Sequence, residues 1–136
     1  HFFWDMGIPL YDAYGLTETS PGATMNRPDK YRIGSVGPVM GMCKIVIDKS
    51  VTGTEATDGE IIIYGPNVMK GYYGNEPETK KAFTPDGWLV TGDRGCLDGD
   101  GYLYIKGRSK NVIVGSSGEN IYPEVIEELI KEFEKR

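Results

Sequence analysis

The feature that most constrains this chain is the alternation of short apolar runs with glycines. The chain has 19 glycines among 136 residues, about twice the usual share of ~7%. They separate the runs as turns separate strands. The runs predict strands at residues 8–11, 44–48, 60–64, 88–90, 95–97, 102–105 and 111–114. This order predicts an α+β chain that is mainly β, with a small distorted antiparallel β-barrel or sandwich and added helices.

Helices are predicted in three places. Residues 2–6 suit the end of a helix, and residues 77–83 suit a short helix that begins with a proline. A third helix is predicted from Pro123 onward, because apolar residues recur there at helical spacing. This stripe predicts ordinary core packing, and its members are Val125, Ile126, Leu129, Ile130 and Phe133.

One further run, Asp98-Gly99-Asp100-Gly101, predicts a tight hairpin turn, because glycine adopts positive φ at no steric cost. The two aspartates could suggest calcium. A calcium loop, however, needs further oxygen ligands and a glutamate at a set distance, and these are missing. We therefore expect a turn and no calcium site.

Composition argues against several functions. The net charge of −5 and the scattered basic residues leave no electrostatic footprint for nucleic acid or an anionic membrane surface. Cys43 and Cys96 fit no metal-binding pattern and predict two reduced, mostly buried thiols in a cytosolic protein. The single histidine, His1, excludes a histidine-based triad. No apolar run approaches the ~20 residues of a membrane-spanning helix, and no signal peptide is visible.

Residues 14–19, Tyr-Gly-Leu-Thr-Glu-Thr, follow a short apolar run at the start of a long loop over residues 15–35. Their chemistry suits a nucleotide. An aromatic ring can stack on a base, glycine permits close approach of the backbone, and a hydroxyl can donate to phosphate. A glutamate can hold Mg²⁺ beside phosphates. A polar loop without a ligand is an equally good explanation of this motif alone.

Three other motifs are individually ambiguous. Asp93 ends Thr91-Gly92-Asp93, and its two oxygens match a ribose cis-diol, but an aspartate that begins a turn is the simpler alternative. Arg108 suits ribose hydroxyls or phosphate, or is an ordinary surface arginine. Residues 115–123 form a glycine-rich loop before a helix. They lack the lysine and Ser/Thr ending of an ATPase phosphate loop, so that chemistry is rejected.

Together, the order and spacing of these motifs resemble the adenylate-forming superfamily of acyl-CoA synthetases, luciferases and peptide-synthetase adenylation domains. Residues 14–18 resemble its aromatic-Gly-x-Thr-Glu signature, and residues 59–73 resemble the next motif. Thr91-Gly92-Asp93 resembles the Thr-Gly-Asp motif. Residues 107–127 resemble the hinge and the loop beyond it, although the stretch before Gly118 is longer than the commoner pattern. The resemblance covers nearly the whole chain.

The resemblance implies roles for the first motif. Tyr14 would stack on adenine, and Gly15 would lie against the nucleotide. Thr17 would contact the α-phosphate and act in catalysis with Glu18. Glu18 would also bind Mg²⁺.

It implies roles for the later motifs as well. Asp93 would hold the ribose hydroxyls, and Arg108 would support them. Lys110 falls at the hinge about which the C-terminal lid rotates between half-reactions. Gly118 would lie on the loop that lines the pantetheine tunnel.

The implied activity is that of an AMP-forming acid–thiol ligase that uses ATP, Mg²⁺ and coenzyme A. Residues 16–21, 67–73 and 120–123 resemble long-chain fatty acid–CoA ligases most, so a fatty acid is the expected substrate. The alternatives are an adenylating domain for an aryl or amino acid and a non-catalytic binding module. We expect the full-length protein to be cytoplasmic, with peripheral membrane contact as an additional expectation.

The chain begins without Met in an aromatic cluster and ends in a charged helix, which suggests an excised segment. The expected divisions are residues 1–30, the end of the N-terminal domain with the nucleotide loop; 31–107, the β-barrel subdomain; and 108–136, the hinge and beginning of the C-terminal lid domain. The resemblance places the phosphate loop and the adenylation lysine outside the chain. We therefore expect the isolated segment to fold without catalysing, and to self-associate through exposed apolar surface.

Overall fold

The computed structural model describes residues 2–50 and 52–109, together with 113, 114, 120, 121, 126, 127, 130, 131 and 133. Antiparallel strands dominate, as expected for a mainly β member of the α+β class. The strands are β1 (Ala13–Tyr14), β2 (Thr24–Met25), β3 (Lys44–Asp48), β4 (Gly59–Tyr64), β5 (Leu89–Leu97), β6 (Leu103–Arg108), β7 (Ile113–Val114) and β8 (Asn120–Ile121). The helical elements include α1 (Phe2–Asp5), α2 (Glu76–Ala82) and a 3₁₀ turn at Thr17–Thr19.

The main sheet is a four-stranded antiparallel meander in the order β3-β4-β5-β6. Within the described residues it stays open, since β3 and β6 are its edges and do not pair with each other, so the expected barrel is not closed. Residues 36–40 connect β6 to the small β1-β2 sheet. The Val36 N–H donates to the Leu103 carbonyl at 2.9 Å, and the Met40 N–H donates to the Ala23 carbonyl at 2.9 Å.

The core lies on one face of this sheet. Strand β4 contains three consecutive isoleucines, whose side chains alternate between the two faces of the sheet. Ile61 and Ile63 are fully buried, whereas Ile62 is only partly buried on the opposite face. The buried hydrophobic cluster consists of Ala23, Cys43, Ile45, Ile61, Ile63 and Leu103.

Several predicted elements are confirmed, and others are corrected. Strands form at 44–48 and 59–64, and a helix forms at 76–82 with Asn75 as its N-cap. The predicted strand at residues 8–11 is wrong: Ile8 and Leu10 are about half exposed, and β1 begins only at Ala13. The segments predicted at 88–90 and 95–97 belong to the single strand β5. Both cysteines are free; Cys43 is buried and Cys96 partly so.

The C-terminal apolar stripe is exposed where the structure describes it. Residues 126, 127, 130, 131 and 133 are helical, as predicted. Ile126, Ile130 and Phe133 are 47, 51 and 74% exposed. The predicted core packing therefore does not form within the described residues, and these residues belong to the exposed apolar surface that was also predicted. Val125 and Leu129 lie outside the described residues. None of the helices in the described part of the chain has the length and apolar character that a bilayer crossing requires.

The turn between β5 and β6 is stabilised by Asp98, as the hairpin prediction required. Its Oδ1 accepts the N–H groups of Asp100 at 3.0 Å and Tyr102 at 2.9 Å. The Arg32 guanidinium pairs with Asp98, donates to Asp100 Oδ2 at 2.9 Å, and lies 4.2 Å from the centre of the Tyr102 ring. Both aspartates therefore have protein partners, and this turn joins the loop that carries Arg32 to the main sheet.

Ile61→Ala should destabilise the protein by about 2–5 kcal/mol, because it leaves a cavity in the core. Ile62→Ala removes the same atoms from the neighbouring, partly exposed position and should cost clearly less. Urea denaturation of both variants tests this. Equal losses at the two positions would contradict the assignment of Ile61 to the core face.

The Asp98 interactions predict a pH-dependent stability. Partial removal from water raises the pKa of Asp98, but the N–H groups of Tyr102 and Asp100 and the Arg32 guanidinium outweigh this, so the net pKa lies below its ordinary value. A lowered carboxyl pKa stabilises the folded state above the unfolded pKa of about 3.9. This contribution disappears as the pH falls through the lower, folded-state value.

Asp98→Asn should therefore lower the thermal midpoint at neutral pH, and the difference from wild type should shrink as the pH falls below about 4. Asp29→Asn is the control, because the Asp29–Arg27 pair is exposed and spans 3.6 Å and such pairs contribute little. Thermal denaturation at several pH values gives the comparison. A deficit that persists unchanged at low pH would show that charge is not the cause.

Candidate nucleotide site

The loop over residues 14–25 is held in shape by its own main chain. A Cβ atom at Gly15 would lie 1.6 Å from the Pro21 carbonyl oxygen, so this position accepts no side chain without movement of the loop. Thr19 is fully buried; its Oγ1 accepts the Leu16 N–H at 2.9 Å and donates to the Leu16 carbonyl at 3.0 Å. Gly15 is thus required by backbone packing within the loop.

Asn67 connects this loop to the segment that follows β4, and no sequence pattern predicted this role. Its side chain is buried, and its Nδ2 donates to the carbonyls of Thr19 at 3.2 Å and Gly22 at 3.0 Å. The Cys43 thiol is buried in the core, and this burial raises the pKa of the thiol. The sequence placed Asn67 directly after Gly65-Pro66, which follow β4, and within the family-like segment 67–73, but assigned it no role.

Strand β5 bulges at the Thr91-Gly92-Asp93 motif. Glu60 pairs with Arg94 and Ile62 with Val90, so one residue of β4 lies opposite three residues of β5. Gly92 adopts φ +76°, a conformation that L side chains rarely adopt. The Thr91 hydroxyl donates to the Ile61 carbonyl at 2.7 Å and accepts the Asp93 N–H at 3.1 Å. Bulges of this kind redirect a side chain while strand pairing continues on both sides.

The bulge brings Asp93 to Tyr14 and Arg108. The Tyr14 hydroxyl donates to Asp93 Oδ2 at 2.8 Å, and Arg108 Nε lies 3.4 Å from Asp93 Oδ1. Arg108 is directly opposite Asp93 in the β5-β6 register. The Asp93 side chain is 13% exposed and that of Arg108 71%. Burial, together with the Asp93 carboxylate, raises the pKa of Tyr14, so the hydroxyl remains a proton donor.

Glu18 lies at the edge of a cavity of about 210 Å³. Its carboxylate accepts the Tyr72 hydroxyl at 2.8 Å, and its main-chain carbonyl accepts the Met69 N–H at 2.8 Å. The bond to Glu18 raises the pKa of Tyr72, with a smaller contribution from burial. The cavity extends to the β5 bulge, since Thr91 and Gly92 also line it. The first motif and the Thr-Gly-Asp motif therefore face a common space.

The structure thus brings together most of the predicted residues that it describes. Tyr14, Asp93 and Arg108 form one contact network, and Glu18 lines the adjoining cavity. Thr17 is exposed on the 3₁₀ turn. Lys110 and Gly118 lie outside the described residues, so their hinge and thioester-loop roles stay predictions.

The residues that surround Glu18 fit a cation that brings its own ligands. Among the described residues, no group of three or more His, Cys, Asp or Glu side chains is arranged to hold a metal ion. Mg²⁺ is ordinarily bound through one or two carboxylates plus phosphate and water oxygens. Glu18 at the edge of this cavity matches that mode, and the described residues do not match an all-protein metal site.

Comparison with known proteins decides the family. Residues 1–73 match the family model described as AMP-binding enzyme. The chain belongs to this family of AMP-binding enzymes. Among curated proteins it is 42% identical over 132 residues to long-chain-fatty-acid–CoA ligase ACSBG1 of Homo sapiens, covering 96% of this chain and 18% of that protein. It is 40% identical to long-chain-fatty-acid–CoA ligase FadD15 of Mycobacterium tuberculosis, covering 96% of this chain and 20% of that protein.

Solved structures of the AMP-binding family agree with the fold. ATP-bound MatB from Rhodopseudomonas palustris matches with a TM-score of 0.79 and 37% identity, over 94% of this chain and 26% of that one. O-succinylbenzoate coenzyme A synthetase (MenE) from Bacillus subtilis in complex with AMP matches with a TM-score of 0.76 and 37% identity, over 93% and 27%. The chain spans about a fifth of the length of the curated relatives it matches.

Gly15→Ala should distort the nucleotide loop, because its Cβ would collide with backbone that cannot rotate away. Overpacking of this kind costs about 1–3 kcal/mol. Gly41→Ala is the matched control, since its Cβ would have open space and its φ is not positive. Urea denaturation of the two variants is the measurement. A Gly15 variant as stable as the Gly41 variant would contradict the described loop packing.

Proposed function

We propose that this chain carries the adenylate-binding part of an AMP-forming acid–thiol ligase. In the first step a carboxylate oxygen attacks the α-phosphorus of ATP, pyrophosphate leaves, and an acyl-adenylate forms. In the second step the thiol of coenzyme A attacks the acyl carbon, and AMP leaves. Because the chain spans about a fifth of its curated relatives, the proposal assigns this activity to the full-length protein.

The network of Tyr14, Asp93 and Arg108 is the observation that supports the proposal most. A carboxylate has roughly four lone-pair sites, and the two contacts from Tyr14 and Arg108 orient it without using them all. The remaining sites suit the two hydroxyls of a ribose. The Tyr14 ring is held by its hydroxyl, so one of its faces can stack on a base beside that ribose.

Glu18 and Thr17 supply the phosphate side of the proposed site. Glu18 would hold Mg²⁺ together with phosphate oxygens, and Thr17 would donate its hydroxyl to the α-phosphate. Adenylate transfer of this kind depends mainly on positioning and on neutralising charge. In this proposal Tyr14 stacks on the base, Asp93 holds the ribose and Glu18 coordinates the cation. Lys110 as a hinge and Gly118 beside the pantetheine would complete the thioester step.

A long-chain fatty acid is the proposed substrate. The support is the name shared by curated relatives at about 40% identity, long-chain-fatty-acid–CoA ligase. An aryl acid is the second candidate, because a solved structure at 37% identity is an o-succinylbenzoate coenzyme A synthetase. The residues of this chain contact the adenylate in our proposal, so they do not distinguish the two acids.

Acid-dependent ATP–pyrophosphate exchange by the full-length protein tests both parts of the proposal. A panel from acetate to palmitate, with o-succinylbenzoate and amino acids alongside, should show exchange driven most strongly by long-chain acids. Exchange driven only by aryl or amino acids would keep the ligase and replace the substrate. No exchange with any acid in the folded protein would overturn the proposed function.

Asp93→Asn in the same assay should raise the KM for ATP by about ten- to a hundredfold, the equivalent of one charge-assisted hydrogen bond. Asparagine also replaces one of the two acceptor oxygens with an NH₂ donor, so it cannot accept from both Tyr14 and Arg108 as the carboxylate does. Asp5→Asn is the control, because Asp5 is exposed on α1. An unchanged KM for ATP in Asp93→Asn would remove Asp93 from the proposed nucleotide site.

A further inference from the structure

Glu18 is held at two points by the segment that follows β4. The Met69 N–H donates to the Glu18 main-chain carbonyl at 2.8 Å. The Tyr72 hydroxyl donates to Glu18 Oε1, also at 2.8 Å. A glutamate on the rim of a cavity would otherwise exchange among several rotamers, so the second bond restricts where its carboxylate points.

Tyr72 is itself fixed by the beginning of α2. Its N–H donates to Thr79 Oγ1 at 2.9 Å, and that hydroxyl donates to the Asn75 carbonyl at 2.9 Å. Gly71 has φ +149°, and a Cβ there would lie 2.6 Å from Thr79 Cγ2. The Asn75 N–H closes the turn on the Tyr72 carbonyl at 3.2 Å. A shift of the tyrosine main chain would therefore break its bonds to Thr79 and Asn75.

A tyrosine is the appropriate donor for this position. A neutral hydroxyl orients a carboxylate and leaves its charge intact, along with the second oxygen and the unused lone pairs. A lysine or arginine would pair with Glu18 and compete with any cation for it. The same cavity is lined by Glu60, Glu78 and Lys81, and Lys81 pairs with Glu78 at 2.6 Å. Because the lysine is engaged by another carboxylate, the Glu18 charge stays available to a cation.

We propose that Tyr72, anchored through Thr79, is a positioning residue that aims the Glu18 carboxylate at the divalent cation accompanying ATP. The inference rests on the proposed function and deepens it. Tyr72 acts through Glu18 and is not itself assigned a contact with the nucleotide. Its loss should therefore weaken the contribution of the cation to nucleotide binding while leaving the ribose and adenine contacts as they are.

The test compares Tyr72→Phe with Tyr73→Phe in the full-length protein. Tyr73 is the matched control, because its side chain is fully exposed and no hydrogen bond of its hydroxyl is found in the described residues. Calorimetric titration with ATP, once with excess Mg²⁺ and once with EDTA, gives two dissociation constants for each variant. Their ratio measures how much Mg²⁺ strengthens binding, independently of turnover.

Tyr72→Phe should reduce the Mg²⁺-dependent gain in ATP affinity by about tenfold, the lower end of the effect of losing a hydrogen bond to a charged group. Affinity in EDTA should stay unchanged. The Mg²⁺ concentration for half-maximal pyrophosphate exchange should rise, whereas the KM for the acid should not. Tyr73→Phe should match wild type in all of these measurements.

A second pair of variants separates positioning from general damage. Thr79→Val removes the hydroxyl that anchors Tyr72 and should shift the Mg²⁺ dependence in the same direction. Thr79→Ser keeps that hydroxyl and should restore most of the wild-type ratio. Equal ratios for Tyr72→Phe and Tyr73→Phe, in a wild type that exchanges pyrophosphate, would overturn this inference alone. A folded wild type without exchange would overturn the proposed function and this inference with it.

Discussion

The bulge of β5 around Gly92 is the constraint on which the candidate site depends. Strand β5 pairs with β4 before and after residues 91–93, yet it has three residues where β4 has only Ile61. The surplus must leave the plane of the sheet, and Gly92 permits this because it adopts positive φ. Thr91 satisfies the Ile61 carbonyl that the ladder no longer reaches. Asp93 consequently points to Tyr14, which lies far away in sequence.

The opposite wall of the site is preorganised by main-chain packing. Gly15 lies against the Pro21 carbonyl, and the buried Asn67 side chain binds two carbonyls of the same loop. These contacts lie within the protein, so they define the shape of the loop. A loop held by its own contacts has less conformational entropy to lose on binding.

The two walls differ in how they hold their carboxylates. Asp93 is nearly buried and bound by one neutral and one charged donor, Tyr14 and Arg108. Glu18 has a neutral donor, Tyr72, in a cavity whose lysine, Lys81, pairs with Glu78 instead. This difference suits the two ligands in our proposal, since ribose hydroxyls need a fixed acceptor and a cation needs a carboxylate whose charge is not already neutralised.

Strand prediction succeeded where local pattern and tertiary burial agree. The isoleucines of β4 alternate between the two faces of the sheet, and the segment formed as expected. Residues 8–11 have a comparable apolar content but contain Pro9, which has no N–H to donate to a neighbouring strand. Ile8 and Leu10 are also about half exposed, since they do not pack into the core. Apolar content alone could not reveal that difference.

The motifs and the strand pattern were enough to identify the family, the mainly β architecture and the candidate residues, because several motifs in a set order are far more specific than any one of them. Which of these residues meet is visible only in the folded chain. The Tyr14–Asp93 contact joins positions 79 residues apart, and the Tyr72–Glu18 contact joins positions 54 apart. Such pairs depend on strand register, a bulge and a buried amide, and these arise from packing between distant segments that no local pattern records.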